Sequence, residues 1–258
     1  MSDKEIKKEY ARRKRLLKLR YIYNSRKLKK EKQGTLENFY LENEDKRPKN
    51  PPKRPLIQEI GNSVSHGIGA VFSVVALILM LVFSESTLET CGAIIYFAGM
   101  FLMFTVSCLY HAFRYGSAVK RLFRRFDYSS IYLMIGATFA PVLLVYFNNT
   151  FGTVFFIIQW AIIALGISLV GVFGPAKLRF IHIPLYVILG WSALMLMPGM
   201  IGEKFSMAMW ILAGGIIYSV GIIPYAIKYR SSHFIWHFFV LFGAIVQWIG
   251  IFFNLYLV

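Results

Sequence analysis

Ser232-His233-Phe234-Ile235-Trp236-His237 opens the last hydrophobic run of the chain. Two histidines four residues apart on a helix share one face, because an α-helix turns once in about 3.6 residues. Both imidazoles therefore point the same way, at the edge of this run. A single helix supplies only two such groups, so a metal ion held here needs further ligands from helices that end at the same depth.

The composition is that of a polytopic membrane protein. Hydrophobic residues make up 57% of the 258 positions and charged residues only 16%, with a mean hydropathy of +0.53, which is too apolar for a soluble domain of this size. The charges are unevenly distributed: residues 1–56 carry nineteen of the 29 Lys and Arg and eight of the 13 Asp and Glu, a net +11. The sequence therefore predicts a basic N-terminal tail, residues 1–55, and a transmembrane domain, residues 56–258.

The basic tail has two interpretations. Residues 4–32 interleave Lys and Arg with apolar and tyrosine side chains, which suits an amphipathic helix lying on anionic lipid headgroups. The alternative is a solvated, disordered tail that acts as a topology signal. No nucleic acid is expected as a partner, because the tail is attached to a membrane domain. Residues 49–55, with three prolines, predict an extended linker.

Seven apolar runs in the remaining chain are long enough to cross about 30 Å of hydrocarbon. Backbone groups within a bilayer must be satisfied internally, so these runs should form helices. The fold class is an all-α, seven-transmembrane helix bundle. The predicted spans are 60–83, 91–113, 127–147, 153–174, 180–197, 206–227 and 233–257.

The connecting segments predict the orientation. Those after the second, fourth and sixth runs hold nine basic residues, whereas the alternate segments hold only Lys204 with three acids. By the positive-inside rule the N-terminus is predicted to be cytoplasmic and the C-terminus to lie outside. The expected location is the plasma membrane, which for a bacterial protein is the cytoplasmic membrane, with several spans crossing it. The nine are Arg114, Lys120, Arg121, Arg124, Arg125, Lys177, Arg179, Lys228 and Arg230.

All five histidines fall near the predicted cytoplasmic ends of helices, and Asp127 lies at the same depth. Three of them, His111, His233 and His237, would provide the three neutral nitrogens of a catalytic zinc site, with a fourth position for water. Asp127 could bind or orient that water. Ser107 precedes His111 by four residues, so its hydroxyl faces the same way. Zinc in such a site makes hydroxide available near neutral pH and polarises a carbonyl.

Each of these residues also has an ordinary structural role open to it. Asp127 could be the N-cap of the third transmembrane helix. A histidine near a helix end, His182 for example, could be an interfacial ring at the headgroup level. The Ser107 hydroxyl could donate to a carbonyl of the preceding turn. The residues alone leave these alternatives open.

Four motifs occur in order along the seven predicted spans. They are Glu59-Ile60-Gly61-Asn62-Ser63-Val64-Ser65-His66-Gly67, Ser107-Cys108-Leu109-Tyr110-His111, Phe126-Asp127-Tyr128-Ser129-Ser130-Ile131-Tyr132 with Pro141, and His233-Phe234-Ile235-Trp236-His237. This set, in this order on a seven-helix body, resembles the hemolysin III family, which is grouped with the progestin and adipoQ receptors. The resemblance runs from about Leu56 to the C-terminus and leaves the basic tail uncovered.

The resemblance implies a zinc ion near the cytoplasmic face, bound by the positions of His111, His233 and His237, with Asp127 contacting its water and Ser107 in the same motif. It implies a supporting role for four residues of the first motif: Glu59, Asn62, Ser65 and His66. Members similar to adiponectin receptors are linked to ceramide hydrolysis, so a zinc-dependent, ceramidase-like hydrolase acting on a lipid amide or ester is the leading hypothesis. The alternatives are a membrane sensor or receptor with a structural zinc, and a membrane-damaging, hemolysin-like protein.

Two positions depart from the family pattern. Bacterial members commonly have histidine after the motif aspartate, where this chain has Tyr128, and many have another histidine at the position of Gln247. Neither is an expected zinc ligand, so the departures concern the surroundings of the site and the substrate preference. The expected partners are membrane lipids, including a lipid substrate.

Overall fold

The computed structural model describes residues 3–42, 51–227 and 231–257. They fall into two units, one within residues 1–49 and the other within residues 50–258. Most of the described residues are helical, and none of them forms a β-strand. Four residues of the predicted linker and loops, Lys49, Asn50, Lys228 and Arg230, lie outside the described residues.

The described part of the first unit, residues 3–42, forms one helix, α1, from Asp3 to Glu42. Its apolar residues do not gather on one face, because Leu16, Leu19 and Ile22 follow one helical stripe while Leu17 and Tyr21 follow another. These side chains are exposed. Its attachment to lipid headgroups stays a prediction.

The second unit contains seven helical segments long and apolar enough to span a membrane. Within the described residues they are α2 (Leu56–Val82), α3 (Thr87–Ala112), α4 (Ala118–Pro141) with a π-turn at Val142–Tyr146, α5 (Thr150–Phe173), α6 (Arg179–Trp191), α8 (Phe205–Ala226) and α9 (Ser232–Leu255). The fifth span continues from α6 through a 3₁₀ turn, Ser192–Met195, into the short helix α7 (Met197–Met200). The predicted seven-helix bundle is therefore confirmed.

Local sequence explains where several helices begin. The Ser86 side chain accepts from the Glu89 backbone and the Glu89 carboxylate accepts from the Ser86 backbone, forming a capping box at the start of α3. Ser117 caps α4 by accepting from the Lys120 amide at 3.1 Å. The interpretation of Asp127 as a helix N-cap is therefore wrong: α4 begins nine residues earlier, and Asp127 lies inside it.

Small residues set the spacing of the bundle. A Cβ built on Gly99 of α3 would lie 2.2 Å from the Ala137 Cβ of α4, so only glycine permits this approach of the two helices. α2 packs between α3 and α9, and α8 packs on α9. This arrangement brings the end of α3 beside the beginnings of α2 and α9.

Candidate metal centre

Three predicted ligand histidines meet at one end of the bundle. The Nε2 atoms of His233 and His237, on adjacent turns of α9, are 3.2 Å apart, and the Nε2 of His111 at the end of α3 lies 3.3 Å from that of His233. The candidate ligand atoms of all three lie within 4.8 Å of one another. His111 and His237 are buried and His233 is half-buried.

This geometry fits a metal ion. Ligands held at about 2.0–2.1 Å around a tetrahedral zinc have nitrogens roughly 3.3 Å apart, which matches the two Nε2 distances of 3.3 and 3.2 Å. The His233 Nε2 faces two other ring nitrogens, and one nitrogen cannot donate a proton to both. A cation bound by all three lone pairs removes that conflict. Imidazole nitrogens suit zinc, copper, iron and nickel, and three ligands leave a position for a further group.

Glu59, in the first turn of α2, orients the His111 ring, and Asn62, one turn later, lies beside the same ring nitrogen. The Nδ1 of His111 lies 2.5 Å from Glu59 Oε2 and 3.3 Å from Asn62 Nδ2. A carboxylate accepting from Nδ1–H fixes the tautomer that leaves Nε2 free to bind a metal. Both residues therefore contact a candidate ligand histidine, and the supporting role that the resemblance implied for them stays a prediction.

Lys120 is a member of this site that sequence reasoning missed. Its Nζ lies 3.1 Å from Glu59 Oε1, and its side chain is 1% exposed. The ammonium also donates to the carbonyl oxygens of Phe113 at 3.0 Å and His111 at 3.3 Å, which are left without helical partners at the end of α3. The sequence placed Lys120 in a basic connecting segment, and only its position three residues after the capping Ser117 hinted at a helix there.

The other two residues of the first motif differ in their roles. The Ser65 hydroxyl donates to the Asn62 carbonyl at 3.0 Å, a bond within α2. His66 is buried, with its ring stacked on that of His237 at a centroid distance of 3.8 Å. The edge of Phe104 lies 5.2 Å away by the same measure. His66 thus packs on His237, a candidate ligand, and its supporting role stays a prediction.

Asp127 and Ser107 lie on the wall of a cavity of about 790 Å³ that His233 and His237 also line. The Asp127 carboxylate interacts with the Ser107 hydroxyl and, electrostatically, with His111. Both side chains therefore face the cavity beside the histidine group.

The cavity is long and mostly apolar. It follows α9 from Ser232 to Ile251, which is about 28 Å at about 1.5 Å per residue. Beyond the histidines its wall includes Phe139, Leu196 and Met200. This length approaches the thickness of a bilayer core, about 30 Å, and the histidine group lies near one end.

His182 lies apart from this group. Its ring is fully buried, and its Nδ1 lies 3.0 Å from the Tyr132 hydroxyl. The interpretation of His182 as an interfacial ring is wrong, because neighbouring helices cover it.

Tyr128 and Gln247, the two departures from the family pattern, line the cavity. The Tyr128 hydroxyl lies 3.1 Å from that of Tyr225.

The fold and this site define a seven-helix membrane protein with a buried three-histidine group that could hold a metal ion. The chain belongs to the haemolysin-III-related family, whose model matches residues 55–248. It is 34% identical to Hemolysin-3 of Bacillus cereus over 205 residues, which cover 76% of this chain and 91% of that protein. The Hemolysin-3 homolog of Bacillus subtilis is 31% identical over 195 residues, covering 72% and 89%.

A more distant relative comes from animals. The human Monocyte to macrophage differentiation factor is 27% identical over 224 residues, covering 81% of this chain and 90% of that protein. The chain is thus a multi-pass membrane protein of the hemolysin III type.

Proposed function

We propose that the protein is a zinc-dependent membrane hydrolase that cleaves the amide or ester bond of a lipid. The observation that carries this is the arrangement of Asp127 and Ser107 beside His233 and His237 on the wall of one long apolar cavity. A structural metal site needs the histidines but gives no reason for an acid and a hydroxyl facing the same cavity.

A zinc ion held by the three imidazoles would supply Lewis acidity, lowering the pKa of water and polarising a carbonyl. The chain's own residues supply the rest. Glu59 holds the His111 tautomer through Nδ1, at 2.5 Å. The Asp127 carboxylate accepts a proton from water in the cavity and returns it to the leaving amine or alkoxide. The Ser107 hydroxyl, in contact with Asp127, fixes the direction of that carboxylate.

The apolar wall supports a lipid substrate. A single acyl chain can extend along the cavity, which places the bond to its head at the depth of the histidines. The apolar lining also limits water to the polar end, so that charges there act in a low dielectric. With the orientation that the basic segments favour, the reaction would take place near the cytoplasmic face.

The test compares wild type with Asp127→Asn after purification in detergent and measurement of bound metal. We expect zinc in both, and a loss of roughly 10²–10⁴-fold in release of fatty acid from a ceramide or a phospholipid, since a general acid–base group contributes about that much. Ser130→Ala is the matched control, because its hydroxyl donates to the Asp127 backbone carbonyl at 2.9 Å and its side chain does not line the cavity. Equal activity of Asp127→Asn and wild type would contradict the proposal.

A sensor or receptor with a structural zinc is the second candidate. It is supported by the way the histidine group and its partners join α2, α3, α4 and α9 at one end of the bundle. In that case the wild type itself would release no fatty acid, and removal of the metal would lower thermal stability.

The name of the Bacillus cereus relative, Hemolysin-3, is the reason to test the third possibility, a membrane-damaging protein. Purified protein added to erythrocytes should leave them intact if it is a resident membrane enzyme. Dose-dependent lysis would favour the membrane-damaging alternative.

A further inference from the structure

The lining of the cavity carries a net positive charge. Its lining includes four cationic side chains, Lys53, Arg54, Arg124 and Arg179, against one acid, Asp127. An uncharged amide or ester needs no such excess of positive charge. The excess instead indicates that the ligand itself is anionic.

The three arginines come from separate parts of the chain. Arg54 precedes α2, Arg124 lies in the second turn of α4, and Arg179 is the first residue of α6. Each side chain is half-buried. Residues that serve only as topology signals need no burial, and Arg114 and Arg125, which are exposed and do not line the cavity, already provide such charges.

No carboxylate forms a close ion pair with the three arginines in the part of the chain that the structure describes, although Asp127 interacts with Arg54 and Arg124 electrostatically and Arg54 hydrogen-bonds to Tyr110. Across the described ranges, the ion pairs involve Glu9 and Glu59, and none involves Arg54, Arg124 or Arg179. The Nη1 of Arg54 is buried and has no hydrogen-bond partner among the described residues, which is costly for a charged donor. Arg179 lies over the Tyr225 ring, 5.6 Å from its centroid, so its plane is supported while its donors remain available.

Arg54 is also close to the reactive end of the site. Its charge acts on Asp127 and on His233 and His237. An anion bound by Arg54 would therefore lie next to the histidine group, with an apolar chain directed along the remaining cavity. Guanidinium groups suit phosphate, because each offers paired donors to two oxygens.

We propose that Arg54, Arg124 and Arg179, here named the arginine cluster, bind a phosphate group of the ligand that occupies the cavity. A phosphate monoester offers three terminal oxygens and a charge of about −1.5 to −2, and the three guanidinium groups that line this cavity offer donors to those oxygens. The inference rests on the proposed function only in treating this cavity as the substrate site, and it specifies the substrate class: a lipid with a phosphate headgroup.

The experiment measures equilibrium binding of dodecyl phosphate and of dodecylphosphocholine to the full chain in phosphatidylcholine nanodiscs, with empty discs subtracted. The two probes share their alkyl chain and phosphate, but choline cancels the charge and covers one oxygen. We expect dodecyl phosphate to bind about tenfold tighter or better, as charged hydrogen bonds typically contribute. Arg54→Gln and Arg124→Gln should each remove most of this preference and leave dodecylphosphocholine unaffected.

Arg125→Gln is the matched control. It removes the same charge one residue away, from a side chain that donates to the Gly171 carbonyl at 3.2 Å outside the cavity. The proposal would be overturned if Arg125→Gln lost the preference for dodecyl phosphate to the same extent. It would also be overturned if that preference were unchanged in all three cluster variants, Arg54→Gln, Arg124→Gln and Arg179→Gln. Thermal denaturation of each variant identifies any that fail to fold, and the remaining single variants then decide the outcome.

Two further arms separate the sources of the phosphate and the role of the metal. Inorganic phosphate that displaces dodecyl phosphate at equal concentration would overturn the lipid part and assign the cluster to a soluble phosphate. A preference that disappears in His111→Ala but persists in the arginine variants would place the phosphate on the metal and overturn the cluster.

The result is separable from that for the proposed function, because dodecyl phosphate has no carboxylic amide or ester. Arginine-dependent binding without any fatty-acid release would remove the hydrolase and keep the cluster. Release of fatty acid from uncharged lipids, without preferential binding of dodecyl phosphate, would keep the hydrolase and remove the cluster.

Discussion

The buried histidines His111 and His182 lie near helix ends and have different surroundings. His111 has a carboxylate at Nδ1 and another imidazole facing Nε2. His182 has a tyrosine hydroxyl at Nδ1 and an Nε2 without a hydrogen-bond partner among the described residues. Burial of an imidazole is therefore insufficient for a metal site; a group that fixes the tautomer and further ligands are also required.

Metal content gives the largest expected difference between the two histidines. Purified wild type should contain about one zinc per chain, as a three-histidine site allows, and the variant with His111, His233 and His237 all changed to alanine should contain none. Elemental analysis by mass spectrometry measures this. His182→Ala is the control and should retain the metal; a triple variant that also retains it would rule out the site.

Lys120 should matter next, through stability. Lys120→Met leaves the partly buried Glu59 carboxylate without its cation, and breaking a buried pair typically costs about 3–5 kcal/mol. We expect a clearly lower midpoint of thermal denaturation in detergent. The double variant Glu59→Gln with Lys120→Met should recover part of the loss, because no unpaired charge remains, and a double variant less stable than either single one would argue against the pairing.

Glu59→Gln tests the orientation of His111 separately. The amide is similar in shape but holds the ring less firmly, and loss of such an outer partner usually lowers metal affinity about 10–100-fold. Competition with a zinc chelator measures the change. A variant with the affinity of wild type would show that the 2.5 Å contact does not position the ligand.

Tyr132→Phe should have the smallest effect. It removes the hydroxyl 3.0 Å from His182 Nδ1, and a neutral hydrogen bond contributes about 0.5–1.5 kcal/mol to stability. Denaturation should show this small loss with an unchanged zinc content. A change in zinc content would mean that the two histidine regions are coupled.

Some of the molecule could be read directly from the sequence. The seven spans follow from the length of the apolar runs, since a bilayer leaves backbone groups no partner except the helix itself. The pairing of His233 with His237 follows from helical periodicity. Both features depend only on residues close together in the sequence, so the sequence alone predicts them.

The beginning of α4 shows where local reading fails. Residues 118–126 include Lys120, Arg121, Arg124 and Arg125, so their low hydropathy led to a predicted start at Asp127. The helix nevertheless continues from Ala118, because hydropathy reports transfer into lipid and not helix formation. The sequence analysis used Lys120 and Arg124 only to predict orientation. In the structure Lys120 pairs with Glu59 beside His111, and Arg124 lines the cavity.

The sequence by itself determined the membrane spans and the residue types available for a metal site. Only the tertiary structure decided that Glu59 and Lys120 surround His111 while His182 bonds to Tyr132, and that three arginines from separate segments line one cavity. The physical reason is that these pairings depend on which helix ends pack together, and that packing is set by close contacts between residues far apart in the chain, such as Gly99 against Ala137.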